Sequence, residues 1–534
     1  MTTEEFYKSG EGPATDVTLQ SPEEVETIQA QNPLGANPSR ENLRVTRFPV
    51  SMQELEQLKT EVASAQPSAM TAEEQTYNQL DVSAETRAEA MLDEVPELDA
   101  LGGLAPGIIS SFAGIQQTAF RPPDCTVAAG PDDIVAAVNT MMAIYSKSGT
   151  LKRAWQLGSL FSRVIPPGAR IFDPKVVYDH YNNRWIVIVD STRSSPQGAW
   201  ILIGVSQTSN PAGSYWLWAL DATKDGSNPS NNWADYSQLG FDSRAIYITN
   251  NMFKFGGGFS YVKIRILNKS QLYSGGSVQW YDFWGMKNPD GSMAFTLQPA
   301  VHYTGIGGNP PAYFVNALWP SGTSLTKWTL NNPLGFWGIG GSPSLSRVAV
   351  NCIQYDLPPD GQQKGSTTPI ETNDSRLLNA IYQFSSGGER RLWTCHTSRH
   401  TWPGSSSSVS VIQWYEIDVT SNSIVQQGRF GAPNYYYYFP VIQTNIVRDA
   451  FLVFSRSSSA LFAELRQTGR RSGEPLNTLQ GSALVKAGES AYTGGRWGDY
   501  FGACRDPSNT RKVCMYGEYA ESGNTWGTWI YSSQ

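Results

Sequence analysis

From about residue 105 onward, the chain repeats one unit: an Asp or Pro, an alternating strand, a polar turn and a second strand. The best-matched copies begin W-A-D-Y at Trp233 and W-G-D-Y at Trp497, and in both a second Asp follows nine residues after the Trp. Copies are centred near residues 124, 173, 235, 299, 376, 440 and 499, at intervals of 49 to 77 residues. This spacing suits four-stranded propeller blades and is too long for solenoid repeats. The repeats predict an all-β fold over 105–534, a seven-bladed β-propeller of four-stranded antiparallel blades.

The final copy lacks one strand of a complete blade. Only three strand-like segments follow Trp497. A propeller protects its strand edges only if the ring is closed. We therefore expect residues near 105–120 to supply the outer strand of the last blade.

The first hundred residues differ in composition from the rest. They contain 20 acidic and 6 basic residues and no Trp, whereas the remaining 434 residues carry 27 acidic and 34 basic residues. Capping boxes at Ser51 and Thr71 predict two short helices, but the apolar stripes that follow are thin. Residues 1–104 are thus predicted to form an acidic N-terminal arm, partly helical and otherwise extended or disordered unless a partner or the main domain orders it.

The five cysteines are too few and too scattered for a disulfide scaffold, and none forms a C-x-x-C pair. Cys504 and Cys514 lie symmetrically about the turn D-P-S-N-T, so they can face each other across a hairpin. Two readings stay open for this pair: a disulfide in an oxidising compartment, or two buried thiols.

The C-terminal motifs resemble those of a family of uncharacterised bacterial β-propeller proteins, most of them exported. The shared signature is R-W-G-D-Y from Arg496, D-P at Asp506, G-E-Y from Gly517 and W-G-T-W-I from Trp526. The resemblance implies the propeller fold and implies no activity. Unlike most members, this chain begins M-T-T-E-E-F-Y-K, without the basic start and apolar segment of a secretory signal. We expect an extracellular or cell-surface location by a non-Sec route, with the cytoplasm as the alternative, and no membrane span.

Aspartates recur at corresponding points of the repeats. Asp124, Asp173, Asp235 and Asp499 each stand near the start of a copy, which places them together at one mouth of the central channel. Such a ring of carboxylates would bind Ca²⁺ or supply an acid/base pair. The alternative is that each Asp accepts backbone N–H groups where the chain passes between blades. No other cofactor is indicated.

Aromatic clusters are the second candidate for binding. The segment W-Y-D-F-W contains Trp280, Tyr281, Phe283 and Trp284, with rings on both strand faces beside a loop. Exposed rings stack on sugars or anchor protein partners, whereas buried rings pack blade against blade. We predict ligand binding here, with packing as the alternative.

The sequence gives little support for a serine hydrolase or for nucleic-acid binding. The chain has four histidines and no G-x-S-x-G motif, which disfavours a Ser-His-Asp hydrolase. The positive charge beyond residue 100 is spread out, so nucleic-acid binding is not indicated.

The sequence favours a non-catalytic binding or structural protein. In this hypothesis, propeller loops contact a glycan or a protein, and residues 1–104 mediate docking or self-association. The first alternative is a carbohydrate-active hydrolase or lyase that uses the channel-mouth carboxylates. The second is cargo of a secretion or injection particle, with the arm as its packaging signal.

Overall fold

The computed structural model describes residues 105–303, 310–385 and 387–534, and the backbone of two short N-terminal strands, β1 (Glu26–Ile28) and β2 (Arg44–Thr46). The helices predicted after Ser51 and Thr71 lie outside the described residues. The remainder is a β-propeller built from small antiparallel sheets. Consecutive strands pair as meanders, as alternating apolar and polar segments separated by Gly, Asn and Asp turns predict.

The first two sheets follow a closing strand, β3 (Ile108–Gln116). The first contains β4 (Thr126–Ala129), β5 (Asp133–Val138), β6 (Met141–Ser146) and β7 (Leu151–Gln156). The second contains β8 (Arg170–Asp179), β9 (Arg184–Ser194), β10 (Gln197–Ser206) and β11 (Tyr215–Asp221), with β2 added at the edge of β11. The short helix α1 (Leu157–Leu160) connects them.

Two meanders in the middle of the chain belong to one nine-stranded sheet. After the small hairpin β12 (Lys224–Asp225) and β13 (Asn228–Pro229), the first meander comprises β14 (Asn232–Phe241), β15 (Ala245–Lys254), β16 (Phe259–Asn268) and β17 (Trp280–Trp284), with α2 (Lys269–Ser274) before β17. Between the two meanders in sequence lie β18 (Gln298–Pro299), β19 (Val301–His302), β20 (Ala312–Ala317), β21 (Gly322–Asn331), a 3-10 helix (Pro333–Trp337), β22 (Ser344–Tyr355), β23 (Gly361–Gln363) and β24 (Ser366–Ile370). The second meander comprises β25 (Asn379–Phe384), β26 (Arg390–His400), β27 (Val409–Asp418) and β28 (Ser423–Phe430).

The strands β18, β20, β21 and β22 form a separate sheet, to whose outer edge β1 adds. Strands β23 and β24 form a small hairpin. The last two sheets comprise β29 (Tyr436–Thr444), β30 (Ala450–Ser458), β31 (Leu461–Arg470) and β32 (Ala483–Lys486), then β33 (Gly502–Arg505), β34 (Val513–Glu521) and β35 (Thr525–Ser533).

The described residues form five separate blade sheets of four or five strands and one nine-stranded sheet that contains two further four-stranded meanders, so they do not form the seven separate blades predicted. The difference arises because β19 pairs in parallel with two innermost strands: Val301 lies opposite both Phe241 and Ile381. Strands that the repeats assigned to two blades therefore share one continuous sheet. A parallel pairing of only two residues produces no periodic sequence pattern, so it could not be predicted from the sequence.

Ring closure follows the prediction. Strand β3 pairs antiparallel with β35, with Ile108 opposite Ser533 and Phe112 opposite Ile530. The last sheet is thus completed by a strand that precedes the first sheet in sequence. This pairing joins the two ends of the described propeller.

The core lies between neighbouring sheets. Six hydrophobic clusters each draw buried residues from adjacent sheets. Eight tryptophans are almost completely buried: Trp155, Trp185, Trp218, Trp328, Trp393, Trp414, Trp497 and Trp526. A buried aromatic ring removes about 150–250 Å² from water, so packing of the sheets accounts for much of the aromatic content.

Candidate functional site

The innermost strands surround a central channel. Its cavity has a volume of about 360 Å³ and is lined by both apolar and polar side chains. Lys175, Gln238 and Gln298 contribute polar groups to the wall. His180, which directly follows the strand β8 that carries Lys175, and Arg505, the last residue of β33, also line it. The cavity therefore has two chemically different ends.

All four predicted aspartates meet at the end near Lys175. One carboxylate oxygen from each of Asp124, Asp173 and Asp499 lies within 4.8 Å of the others. Asp173, Asp190 and Asp235 form a second trio under the same 4.8 Å limit. The two trios share Asp173, and all five residues are buried. We call these five residues the aspartate cluster.

Asp190 is the member that the repeat pattern did not predict. It lies on β9, the second strand of its sheet, and not at the start of an innermost strand. A sequence signal existed: on the same strand, Asp190 directly follows the apolar run W-I-V-I-V, whose five residues are fully buried. A charged residue next to such a run in one strand indicates a buried polar site.

β-Bulges aim the carboxylates inward. The pairing of β8 with β9 shifts register between Phe172 and Lys175, and Asp173 has φ of 49°. The pairing of β14 with β15 shifts between Asp235 and Gln238 in the same way. A bulge kinks the strand and redirects a side chain, which explains why the cluster sits where the innermost strands begin.

Hydrogen bonds across the sheets fix part of the cluster. The backbone N–H of Asp499 donates to Oδ1 of Asp124 at 2.9 Å, and the Asn139 amide donates to Oδ2 of Asp124. The N–H of Ser237 donates to Oδ2 of Asp190 at 3.0 Å. Asp124 therefore does accept a backbone N–H where the sheets meet, as the alternative interpretation expected.

Asp173 behaves differently. Its own N–H donates to Oδ1 of Asn139 at 2.8 Å, and no described residue donates a hydrogen bond to its carboxylate. The residue is only 6% exposed. A buried carboxylate without a donor is costly unless it is protonated or bound to a cation.

Negative charge exceeds positive charge at this end. Glu518 is fully buried beside the cluster, and neither of its carboxylate oxygens has a hydrogen-bond partner. The nearby cations are Arg496, which pairs with Asp499, Lys175, whose Nζ lies 2.9 Å from the ring centroid of Tyr500, and Arg376, which pairs with Asp374 outside the cluster. Three cations, one of them paired elsewhere, cannot compensate six carboxylates.

The pKa values follow from that imbalance. Burial, and then the charge of Asp499, raise the pKa of Asp124 to about 8 and that of Asp235 to about 7. Burial raises the pKa of Asp173 well above its usual range, and neighbouring aspartates add to the effect. Burial lowers the pKa of Lys175 to about 7. At neutral pH this end of the channel therefore needs protons or a cation.

The geometry within each trio suits a cation. Ca²⁺ binds oxygen ligands at about 2.3–2.6 Å, so oxygens of one coordination sphere lie at most about 5 Å apart. Oxygens that all lie within 4.8 Å meet this condition. The catalytic carboxyl pairs of inverting glycosidases stand wider apart, at about 6.5–9.5 Å, whereas those of retaining glycosidases stand about 5–5.5 Å apart.

The predicted aromatic site is largely packed. Trp280 and Phe283 are buried in two different hydrophobic clusters, so their rings offer no open face to a ligand. Tyr281 stacks on Phe336 with a centroid distance of 4.5 Å. Trp284 is half-buried. Strand alternation sends successive side chains to opposite faces, and here both faces are covered by neighbouring sheets.

The two candidate cysteines face each other. Cys504 on β33 lies directly opposite Cys514 on β34. Both are free thiols and both are buried. Burial, with the neighbouring Cys514, raises the pKa of Cys504 well above its ordinary value.

No helix in the described ranges is long and apolar enough to cross a membrane.

The chain matches no protein-family model and no curated protein. Among solved structures, it is similar to the α-L-arabinofuranosidase Arb93A of Fusarium graminearum, with 8% identity over 79% of this chain and 97% of that chain and a TM-score of 0.33. Trypanosoma rangeli sialidase matches with 11% identity over 81% of this chain and 59% of that chain, at a TM-score of 0.34. An exo-β-1,3-galactanase of Phanerochaete chrysosporium matches with 11% identity over 80% and 96%, at 0.30. At such TM-scores, these similarities say nothing about what this chain does.

Proposed function

We propose that this protein is a binding β-propeller whose aspartate cluster holds a divalent cation at one end of the channel and whose cavity receives a small polar ligand, such as a sugar unit of a glycan. The convergence of five buried aspartates from different sheets, with Asp173 in both trios, carries the proposal. The protein's own cations leave that charge uncompensated.

The donor set favours Ca²⁺ over other metals. Both trios consist of carboxylates only, and neither includes a His or Cys. Hard oxygen donors suit Ca²⁺ and Mg²⁺, whereas Zn²⁺ and Cu ions prefer nitrogen or sulfur. Ca²⁺ also tolerates irregular geometry, which a cluster assembled from several sheets provides.

The adjacent cavity is the proposed ligand site. Its volume of about 360 Å³ lies within the range of small-molecule pockets. The amides of Gln238, Gln298 and Asn379 line it beside apolar Val and Phe side chains. Fixed amide groups on an otherwise apolar wall are suited to orienting a hydroxyl-bearing ligand.

Thermal unfolding tests the cation site. A ligand at 100 times its Kd adds about 2.7 kcal/mol to the free energy of unfolding. We therefore expect Ca²⁺ to raise the Tm of the EDTA-treated wild type by several degrees, and to have no such effect on Asp173→Asn. Asp290→Asn, at an exposed turn away from the cluster, is the matched control and should respond like the wild type. Equal Ca²⁺ responses of wild type and Asp173→Asn would reject the site.

The second candidate function is a carbohydrate-active hydrolase or lyase. Its support is that Asp124, a carboxyl whose pKa lies near 8, and Lys175, an amine whose pKa lies near 7, both lie at the aspartate-cluster end of the channel. Groups titrating near neutral pH are what general acid/base catalysis requires. If this function is correct, the wild type turns over a glycan. The substitutions Asp173→Asn and Asp499→Asn should then abolish turnover without lowering the Tm.

The arm's proposed role is docking. Strands β1 and β2 pair antiparallel with the outer strands β22 and β11 of two different sheets. Pairing of an extended segment with an open sheet edge is a common mode of peptide recognition. We propose that residues 1–104 dock in this way on their own propeller or on that of a second copy.

A further inference from the structure

The end of the channel away from the aspartate cluster carries a buried positive charge. Arg505 is 5% exposed and lines the cavity. Its Nε donates to the Thr444 carbonyl at 3.0 Å, and its Nη2 donates to the Asn445 carbonyl at 3.2 Å and to the Thr444 hydroxyl at 3.4 Å. Nη1 makes no hydrogen bond to any described residue, and no carboxylate of the described chain lies within 4.0 Å of the guanidinium.

The acids nearest this end in sequence or space are already paired. Asp506 follows Arg505 but pairs with Lys147 at 2.9 Å. Asp179 pairs with Lys269 at 2.7 Å. The charge of Arg505 is therefore left without a protein counterion, which makes its burial costly.

A tyrosine ring lies next to the Arg505 guanidinium, and a histidine ring lies against that tyrosine. The Arg505 guanidinium carbon lies 4.5 Å from the ring centroid of Tyr303. His180 stacks nearly parallel on Tyr303 at 5.5 Å, and neither of its ring nitrogens has a hydrogen-bond partner. Burial lowers the pKa of His180 to about 4, so at neutral pH the ring carries one N–H donor.

We propose that Arg505 and His180 form a subsite for the carboxylate of an acidic ligand, such as a uronic acid unit, in the channel. The N–H groups of Arg505 Nη1 have no acceptor among the described residues, and a guanidinium N–H forms a strong, charge-assisted hydrogen bond with a carboxylate. The neutral imidazole supplies a further donor. This inference rests on the proposed ligand-binding function and names the class of ligand.

Titration calorimetry with D-galacturonate and D-galactose tests the subsite, because the two sugars differ only in the carboxylate. In the full-length protein with Ca²⁺ present, we expect galacturonate to bind at least tenfold more tightly than galactose. Arg505→Gln should reduce that preference to less than twofold. Arg471→Gln, which removes a half-exposed Arg paired with Asp449, is the control and should keep it.

A second measurement needs no variant. The chain has four histidines, so imidazole NMR signals are resolvable in the wild type. Galacturonate should shift the His180 signal and leave that of His400, which lies outside the channel cavity against Trp402, unchanged. Equal binding of both sugars, binding of neither, or an unshifted His180 overturns the carboxylate subsite. If Ca²⁺ then still stabilises the wild type through Asp173, the cation site stands, so the two failures are distinguishable.

Discussion

At the residue scale, Asp173 is the residue that joins the two carboxylate trios of the aspartate cluster. It contributes to both carboxylate trios and receives no hydrogen bond from a described donor, whereas Asp124 and Asp190 each accept a backbone N–H. Substitution of Asp173 should therefore affect cation binding more than it affects the strands that hold it.

Asp124 gives a pH-dependent prediction at the same scale. Its pKa is about 8 in the folded protein and about 3.9 in an unfolded chain, so between these values the folded state holds a proton that the unfolded state has released. Stability contributed by this carboxyl is therefore lost as pH rises, by up to about 1.4 kcal/mol per pH unit. In EDTA, the free energy of unfolding of the wild type should fall relative to Asp124→Asn between pH 5 and pH 7.5.

Urea unfolding across this pH range measures the difference. Asp290→Asn, outside the cluster, should show no pH-dependent difference from the wild type. A difference between wild type and Asp124→Asn that stays constant, or that grows in favour of the wild type with pH, would contradict the burial-driven shift.

Much of the candidate site was predictable from residue type and spacing. Asp124, Asp173, Asp235 and Asp499 occupy corresponding points of the repeat, and repeats that stack around an axis bring such points together. Asp190 and Arg505 were not predicted, because they occupy no repeated position. Their importance depends on which side chains lie nearby, and this is set by the packing of distant strands.

At the scale of elements, the innermost strands pack so closely that some positions admit only glycine. A Cβ built on Gly502 of β33 would lie 2.7 Å from the backbone nitrogen of Val127 on β4. Backbone atoms cannot move aside as a flexible side chain can. The first and last sheets of the ring meet at this contact.

Gly502→Ala should therefore destabilise the protein, by about 1–3 kcal/mol as for other overpacked sites. Gly473→Ala is the control, because nothing lies within 4 Å of its Cβ position and its backbone is not left-handed. We expect the free energy of unfolding of this control to change by less than about 0.5 kcal/mol. Equal stabilities of the two variants in urea would show that the ends of the ring are not tightly apposed.

Two pairings of strands differ in how far the sequence predicts them. The incomplete final copy correctly predicted that residues 108–116 would pair with β35, because a three-stranded unit leaves an open edge. The aromatic segment at Trp280 was less informative. An aromatic residue in an alternating strand gives the same sequence pattern whether its ring faces solvent or another sheet. In the structure, neighbouring sheets cover Trp280 and Phe283.

At the scale of the whole molecule, the chain combines an acidic N-terminal region with a mildly basic propeller. Because β3 begins at Ile108, the ring can close without residues 1–104. Two short strands within residues 1–104 pair with sheet edges, which is the observation behind the proposed docking role.

Deletion of residues 1–104 should leave the Tm of the propeller nearly unchanged and should alter its oligomeric state. Deletion of residues 1–117 also removes β3, so it should lower the Tm strongly by opening the ring. Light scattering after size-exclusion chromatography gives the oligomeric state, and calorimetry gives the Tm. An unchanged assembly after the shorter deletion would argue against docking of the arm on a second copy.

The claim on which the account depends is that a cation completes the aspartate cluster. Diffraction from crystals grown with Mn²⁺ as an anomalous substitute for Ca²⁺ tests it directly. The account predicts an anomalous peak at ordinary bonding distance from a carboxylate oxygen of Asp173, shared with Asp124 and Asp499 or with Asp190 and Asp235. A cluster without any such peak, with Mn²⁺ at saturating concentration and neutral pH, would contradict it.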